Sequence, residues 1–447
     1  MPRHERPEVR TSLELYQRAL EIIPGGTQLI SRRPQRAANG VSPIYAVEAN
    51  GARIRDVDGY EYLDWVSAIG PAILGYRCPA VDDAVKRQID QGPVFTLNHP
   101  TEIELAEELI QTIPCAEMVR YCKGGGEGCT IAVRIARGAT GRDKVLCCGY
   151  HGWHDWYLAA NLSGESQLNE HLFSGIEPIG VPKALAGTAI PFSYGDLDEL
   201  QGLLAQHEGE IACIIMEPMR SKFPPPGYLE GVRAAATKAG ALLIFDEVST
   251  GYRPALGGVQ EFLGVTPDMA VFAKSISNGY AMGYVVGTRE AMEPAAQMFI
   301  SSTYWGDTIG ITAALATLRE MRRIDGVAML QATGKLFQER INQAAAEAGL
   351  DVVCDGPVWH PVIRFPSVPA AQLRPVTTLF LQEMAKAGIF MFTASFMNCA
   401  HTVEDVELTA VAANKAFKLI RQGLENDSID DLLEADVQTE SFRRVVS

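Results

Sequence analysis

The chain is poorest in the features that would tie it to a membrane, a nucleic acid or a structural metal. Its nine cysteines form no C-x-x-C pair. That excludes the familiar zinc-ribbon spacing and points to reduced, mostly buried thiols. No apolar run approaches the ~18 residues needed to cross a bilayer. The first residues, Met1-Pro2-Arg3-His4-Glu5-Arg6, carry no apolar stretch of the signal-peptide kind, so a cytoplasmic location is expected. Basic tracts are absent and the formal net charge is −15, an unfavourable balance for nucleic acid or anionic lipid. Internal repeats and low-complexity segments are also missing. What remains is a chain of 447 residues with 47% hydrophobic content, enough for a main domain and a smaller one.

The pattern changes twice along the chain. Residues 12–23 have helical periodicity and stop at Pro24-Gly25-Gly26. Residues 44–64 read as a β-meander with turns at Asn50-Gly51 and Asp58-Gly59. From about residue 80, helices alternate with short apolar strands. Strands are expected at 118–122, 144–148, 211–216 and 241–245, and helices at 102–112, 129–137 and 229–238. Such alternation implies an α/β fold with a mostly parallel sheet and helices on both faces. Residues 308–347 read as one long helix followed by another. The expected division is an N-terminal segment (1–75), a large domain (76–325) and a small C-terminal domain (326–447), the first and last together forming a small α+β unit.

Two of the apolar runs end in an ionisable residue. Leu242-Leu243-Ile244-Phe245 breaks at Asp246, and Met269-Ala270-Val271-Phe272-Ala273 breaks at Lys274. Ligands of open α/β sheets sit just beyond the carboxyl ends of the strands. An amine there can form a Schiff base with an aldehyde cofactor, and a carboxylate can keep a pyridine nitrogen protonated. A third signal is Lys123-Gly124-Gly125-Gly126-Glu127-Gly128 between a strand and a helix. Strand, glycine loop and helix make an anion cradle, because first-turn N–H groups and the helix dipole both favour phosphate. Taken alone, the loop also fits a dinucleotide site or a plain turn. It lacks Walker spacing.

The stretches LLIFDEVSTGYR and AVFAKSISNGYAMGYVVG resemble those of class III aminotransferases, which are fold-type I pyridoxal-phosphate enzymes. The glutamate-1-semialdehyde aminomutase branch is the nearest in appearance, and the likeness runs from about residue 12 to about residue 420. It implies pyridoxal 5'-phosphate as cofactor, with Lys274 as its attachment point and general acid–base and Asp246 on the ring nitrogen. It further implies Tyr150 on one face of the ring, Val248 on the other, the backbone at Gly125 and Gly126 on the phosphate, and Glu217 in support. Thr303 would reach the phosphate of a neighbouring subunit, which implies a homodimer with shared sites. No metal is expected.

The family pattern Asn/Ser-Gly-Ser/Thr-Glu/Asp-Ala gives way here to glycine at 124, 126 and 128. A hydroxyl is therefore missing at Gly126, and Gly128 costs up to ~1 kcal/mol of helix propensity. A looser loop and a weaker hold on the cofactor are the expectation. Asp307-Thr308 likewise replaces the family's Asn-Pro. For substrate, Arg32 matches a carboxylate-gripping arginine of the aminomutase branch, and Arg33 beside it is an alternative. Trp65, Ser67, Trp153 and Trp305 are candidate lining residues, suited to a sugar, a cyclitol or an aromatic amine. The expected reaction moves an amino group between small amine and carbonyl substrates. Mutase, racemase, epimerase or decarboxylase chemistry on the same scaffold is the alternative.

Overall fold

The computed structural model describes residues 9–439, apart from 165, 166, 170, 172–175 and 220. The described chain separates into two compact units, one of residues 79–327 and one joining residues 9–78 to 328–439. Thirteen strands are found among the described residues: β1 Ala46–Asn50, β2 Arg53–Asp56, β3 Glu61–Asp64, β4 Met118–Cys122, β5 Lys144–Cys148, β6 Ala189–Pro191, β7 Ile211–Met216, β8 Leu242–Asp246, β9 Met269–Phe272, β10 Gly283–Gly287, β11 Val353–Asp355, β12 Val362–Arg364 and β13 Ile389–Phe390. The helices are α1 Arg10–Ile22, α2 Pro79–Gln91, α3 Pro100–Thr112, α4 Gly125–Thr140, α5 Asp155–Leu158, α6 Leu197–Gln206, α7 Tyr228–Ala239, α8 Val259–Leu263, α9 Arg289–Met292, α10 Thr308–Arg323, α11 Gly326–Ala348, α12 Leu373–Lys386 and α13 Val403–Glu425.

The larger unit is built on a seven-stranded sheet of order β4-β10-β9-β8-β7-β5-β6. β10 runs antiparallel to both of its neighbours, and the other pairs are parallel. Every residue of β7, β9 and β10 is buried. Strands covered on both faces require continuous apolar runs rather than alternation, which is how Ile211–Met216 and Met269–Phe272 read. α4 and α7 pack against these strands. The helix expected from residue 129 begins four residues earlier, at Gly125, so three of the glycines belong to the helix and not to the loop before it.

In the smaller unit, β1, β2 and β3 form the expected meander, and β13 adds to β3 in parallel, giving the order β1-β2-β3-β13. The β1–β2 register closes at Asn50↔Arg53, leaving a two-residue turn at Gly51-Ala52. A network of polar side chains is buried beside this sheet. The Trp65 indole N–H donates to Thr409 Oγ1 at 2.8 Å and its ring stacks on His401 at 3.9 Å. His401 Nδ1 accepts from the Asn398 N–H at 3.0 Å, and its Nε2–H donates to the Asp64 carbonyl at 3.0 Å. Asn398 Nδ2 donates to Ser67 Oγ, whose hydroxyl donates to the Phe396 carbonyl.

Candidate active site

β8 and β9 are adjacent and parallel, and Asp246 at the end of β8 pairs with Val271 of β9. Lys274 follows β9 in a short 3₁₀ turn, Lys274–Ser277. Its backbone is left-handed, with φ of 53°, a strained setting for a residue with a Cβ. The turn is pinned by Ser275, whose hydroxyl donates to the Gly251 carbonyl at 2.6 Å. The Lys274 ammonium donates to Ser249 Oγ at 3.0 Å. Amine and carboxylate thus leave the same edge of the sheet on neighbouring strands.

Asp246 is only 3% exposed and is surrounded by donors. His151 Nδ1 lies 2.8 Å from its Oδ2. A carboxylate accepts only, so the proton of that bond sits on Nδ1. The Cys129 thiol donates to the same oxygen at 3.3 Å, and the Val248 N–H donates to Oδ1 at 3.0 Å. Burial, and then the charge of Asp246, push the Cys129 thiol well above its ordinary pKa, so it keeps its proton. Cys129, His151 and Asp246 also form a group whose ligand atoms lie within 4.8 Å of one another. The protons at Cys129 and His151 already account for that closeness. Beside Asp246, burial raises Glu247 to about 7. Glu247 caps α8 by accepting the N–H groups of Val259 and Gln260.

The glycines of α4 are packed, not loose. A Cβ at Gly125 would stand 2.7 Å from Val248 Cγ1, and one at Gly126 would stand 3.1 Å from Gly152 Cα. A Cβ at Gly128 would stand 2.6 Å from Val271 Cγ1. Each glycine is therefore a place where a neighbour approaches closer than a side chain allows. At these three positions close packing takes up the space that the missing side chains free, whereas a Cβ at Gly124, in the loop itself, would meet nothing within 4 Å. Gly124 caps α4 without a side chain, which leaves the first-turn N–H groups without an intrahelical acceptor. His154 Nδ1 is buried and has no hydrogen-bond partner among the described residues. It would lie 3.3 Å from a Cβ at Gly126.

Tyr150 follows β5 in a turn held from three sides. Its N–H donates to Glu217 Oε2 at 2.9 Å, the Gly149 N–H donates to His171 Nδ1, and the Tyr157 hydroxyl donates to the Gly149 carbonyl. A Cβ at Gly149, where φ is +120°, would meet Glu217 Oε2 at 2.7 Å. Glu217 therefore acts on the backbone that carries Tyr150. Thr303 is exposed in the single chain, at the start of a 3₁₀ turn, Thr303–Gly306. Asp307 ends that turn and caps α10, accepting from the N–H groups of Ile309 and Gly310. Its other oxygen pairs with the Lys123 ammonium, so the departure from Asn-Pro is matched by a lysine at the head of the glycine loop.

Among the substrate candidates, Arg32 is exposed and Arg33 half-buried, both in the smaller unit. Trp65 and Ser67 are fully buried in that unit's network, with the Trp65 N–H used by Thr409. They hold the unit together rather than offering a surface. Trp153 is exposed and stacks on His154 at 4.6 Å. Cys129 and Ser249 were not singled out from sequence. Cys129 lies 117 residues from Asp246, and neither periodicity nor motif links the two.

The residues fit pyridoxal phosphate part by part. First-turn amides and the orphaned His154 nitrogen suit the phosphate, Lys274 suits the aldehyde, and Asp246 suits the ring nitrogen. A large, mostly parallel sheet with this lysine and aspartate at its strand ends defines a fold-type I pyridoxal-phosphate enzyme. The family described as aminotransferase class-III matches residues 36–355, and the chain belongs to it. It is 35% identical over 430 residues to the 3-aminobutyryl-CoA aminotransferase of Cloacimonas acidaminovorans (strain Evry), covering 94% of this chain and 100% of that one. It is 36% identical to the glutamate-1-semialdehyde 2,1-aminomutase of Citrifermentans bemidjiense, covering 92% of this chain and 99% of that one. In structure it is similar to the FumI protein of Sphingopyxis sp. MTA144 in its PLP internal aldimine form, with a TM-score of 0.83, 26% identity and coverage of 93% and 97%.

Proposed function

We propose that this class III aminotransferase transfers an amino group between two separate small molecules, using Lys274 and Asp246 as its working pair. The observation that carries this reading is the delivery of both residues to one edge of the sheet by adjacent parallel strands. Bound pyridoxal phosphate supplies an aldehyde that takes up an amine and a ring that accepts electrons. Lys274 is the amine that attaches the cofactor, and when displaced it moves the proton at the substrate's amine-bearing carbon. Ser249 orients its nitrogen. Asp246 keeps the ring nitrogen protonated, Val248 and Tyr150 bracket the ring, and Gly125 and Gly126 offer N–H groups to the phosphate.

Arg32 is assigned to a substrate carboxylate or another anionic group. 3-Aminobutyryl-CoA, the compound in one relative's name, carries its amine on the third carbon of an acyl thioester, so β-amino acids and their thioesters head the substrate panel. Sugar, cyclitol and aromatic amines complete it. The second reading, an aminomutase, is favoured by the relatives of that name. A keto acid decides between them, since a mutase turns over without any carbonyl acceptor. The test is the absorbance change of the bound cofactor against the panel. The wild type is expected to respond, and Lys274→Ala is expected to lose turnover by at least about a thousandfold. A Lys274→Ala enzyme of unchanged activity overturns the assignment.

The working form is proposed to be a cytoplasmic homodimer in which Thr303 serves the partner's phosphate. Three observations support it. Thr303 and Tyr304 are exposed, Leu97 and Phe299 are more than 80% exposed, and the Thr308 hydroxyl ties the Thr303 turn to the Gly92 and Pro93 carbonyls. Exposed apolar side chains of this size suit burial against a second copy. Sedimentation of the purified protein as a monomer overturns this part. No helix among the described residues is long and apolar enough to cross a membrane.

A further inference from the structure

Asp246 has more partners than a carboxylate facing one ring nitrogen needs. Its two oxygens offer about four lone-pair sites. On Oδ2, His151 Nδ1–H at 2.8 Å and the Cys129 thiol at 3.3 Å use two. On Oδ1, the Val248 N–H at 3.0 Å uses one. One acceptor site is left, and it is on Oδ1. We propose that Cys129 is a positioning residue for the cofactor, closing the second site of Oδ2 so that Oδ1 alone takes the ring nitrogen, and that Gly128 is the residue that brings the thiol within reach. The proposal rests on the reading of Asp246 as the partner of that nitrogen.

The helix explains why the two residues act together. Gly125, Gly128, Cys129 and Ala132 share one face of α4 at helical spacing, and α4 packs on β9. A methyl group at Gly128 would stand 2.6 Å from Val271 Cγ1 and 3.3 Å from Cys122 Sγ, so alanine there pushes the helix off the strand. The bond of a thiol 3.3 Å from its acceptor weakens when the helix moves by roughly half an ångström, since close-packed interiors pass such strain on. The glycine that weakens the helix by propensity thus supplies the approach that the thiol requires. Cys129 is 1% exposed and protonated, so it is a fixed neutral donor. It occupies Oδ2 without adding charge.

The experiment titrates the visible absorbance of bound pyridoxal phosphate against pH and measures its release on dilution, for wild type, Cys129→Ala, Cys129→Ser and Gly128→Ala. Cys129→Ala is expected to move the absorbance midpoint by about half a unit and to release cofactor roughly threefold to tenfold faster, the effect of losing one weak hydrogen bond. Cys129→Ser keeps a donor and stays near wild type. Gly128→Ala, with the cysteine intact, shifts in the same direction as Cys129→Ala. In the cofactor-free protein, the infrared S–H band missing from Cys129→Ala moves to its unbonded position in Asp246→Ala, which removes the acceptor. The proposal is overturned if Cys129→Ala matches wild type in both readouts, or if Cys129→Ser shifts as far as Cys129→Ala, which marks a packing role. Should Cys129→Ala not fold, a Gly128→Ala midpoint equal to wild type overturns it. A wild type that takes up no pyridoxal phosphate overturns the parent reading itself and is separable from all of these.

Discussion

Each unit buries a histidine among polar partners, and the two networks differ in one respect. Around His401 the named polar groups are satisfied within the unit, from Trp65 and Thr409 through Asn398 and Ser67 to the Phe396 carbonyl. Around His151 the count does not close. Asp246 keeps one acceptor site, and the far ring nitrogen of His151, Nε2, is buried with no hydrogen-bond partner among the described residues. Buried polar groups left open are costly unless something binds them. A closed network is therefore a structural fastening, and an open one marks the place where a ligand completes the structure.

Substitutions separate the two cases. Asp246→Ala is expected to cut the turnover rate about a thousandfold, the scale of losing a fixed electrostatic partner of the reacting group, and also to lower the thermal midpoint of the cofactor-free protein, because it strands the His151, Cys129 and Val248 donors. Retained turnover would erase the distinction. A smaller effect is expected at His401. Burial lowers its pKa from 6.5 to about 4. A base with a depressed folded pKa contributes stability that is complete above pH 6.5 and lost as pH falls through 4. The loss amounts to about 3 kcal/mol. Urea unfolding between pH 7 and pH 4 should show this fall, and His401→Asn, which keeps an acceptor for the Asn398 N–H, should flatten it. An unchanged slope would remove His401 from the account. Smallest is Asp307→Ala, which uncaps α10 and strands the Lys123 ammonium. It should lower stability by about 2 kcal/mol. A second change, Lys123→Met, should recover part of that, and additive losses would show that the pair is not coupled.

The strand ends were legible because β7, β8 and β9 are buried on both faces and must read as unbroken apolar runs. An ionisable residue closing such a run stands out, as Asp246 and Lys274 do. The glycine loop was legible as an anion cradle but not as packed, since the approach of Val248, Gly152 and Val271 comes from three other parts of the chain. His151 stands next to Tyr150 in the sequence, but nothing local points to its partner, 95 residues away. Trp65 was expected at a binding surface because aromatic rings suit ligands. It lies in the core because Thr409, His401 and Phe337 enclose it, and all three come from the last quarter of the chain, beyond any local pattern.

The left-handed backbone at Lys274 has a consequence for engineering. A lysine in that conformation stores roughly 1 kcal/mol, and glycine would adopt it without strain. Lys274→Gly should therefore give an inactive protein that melts higher than Lys274→Ala. The comparison would measure directly how much conformational tension this catalyst tolerates to aim its amine, a local instance of robustness given up for reactivity.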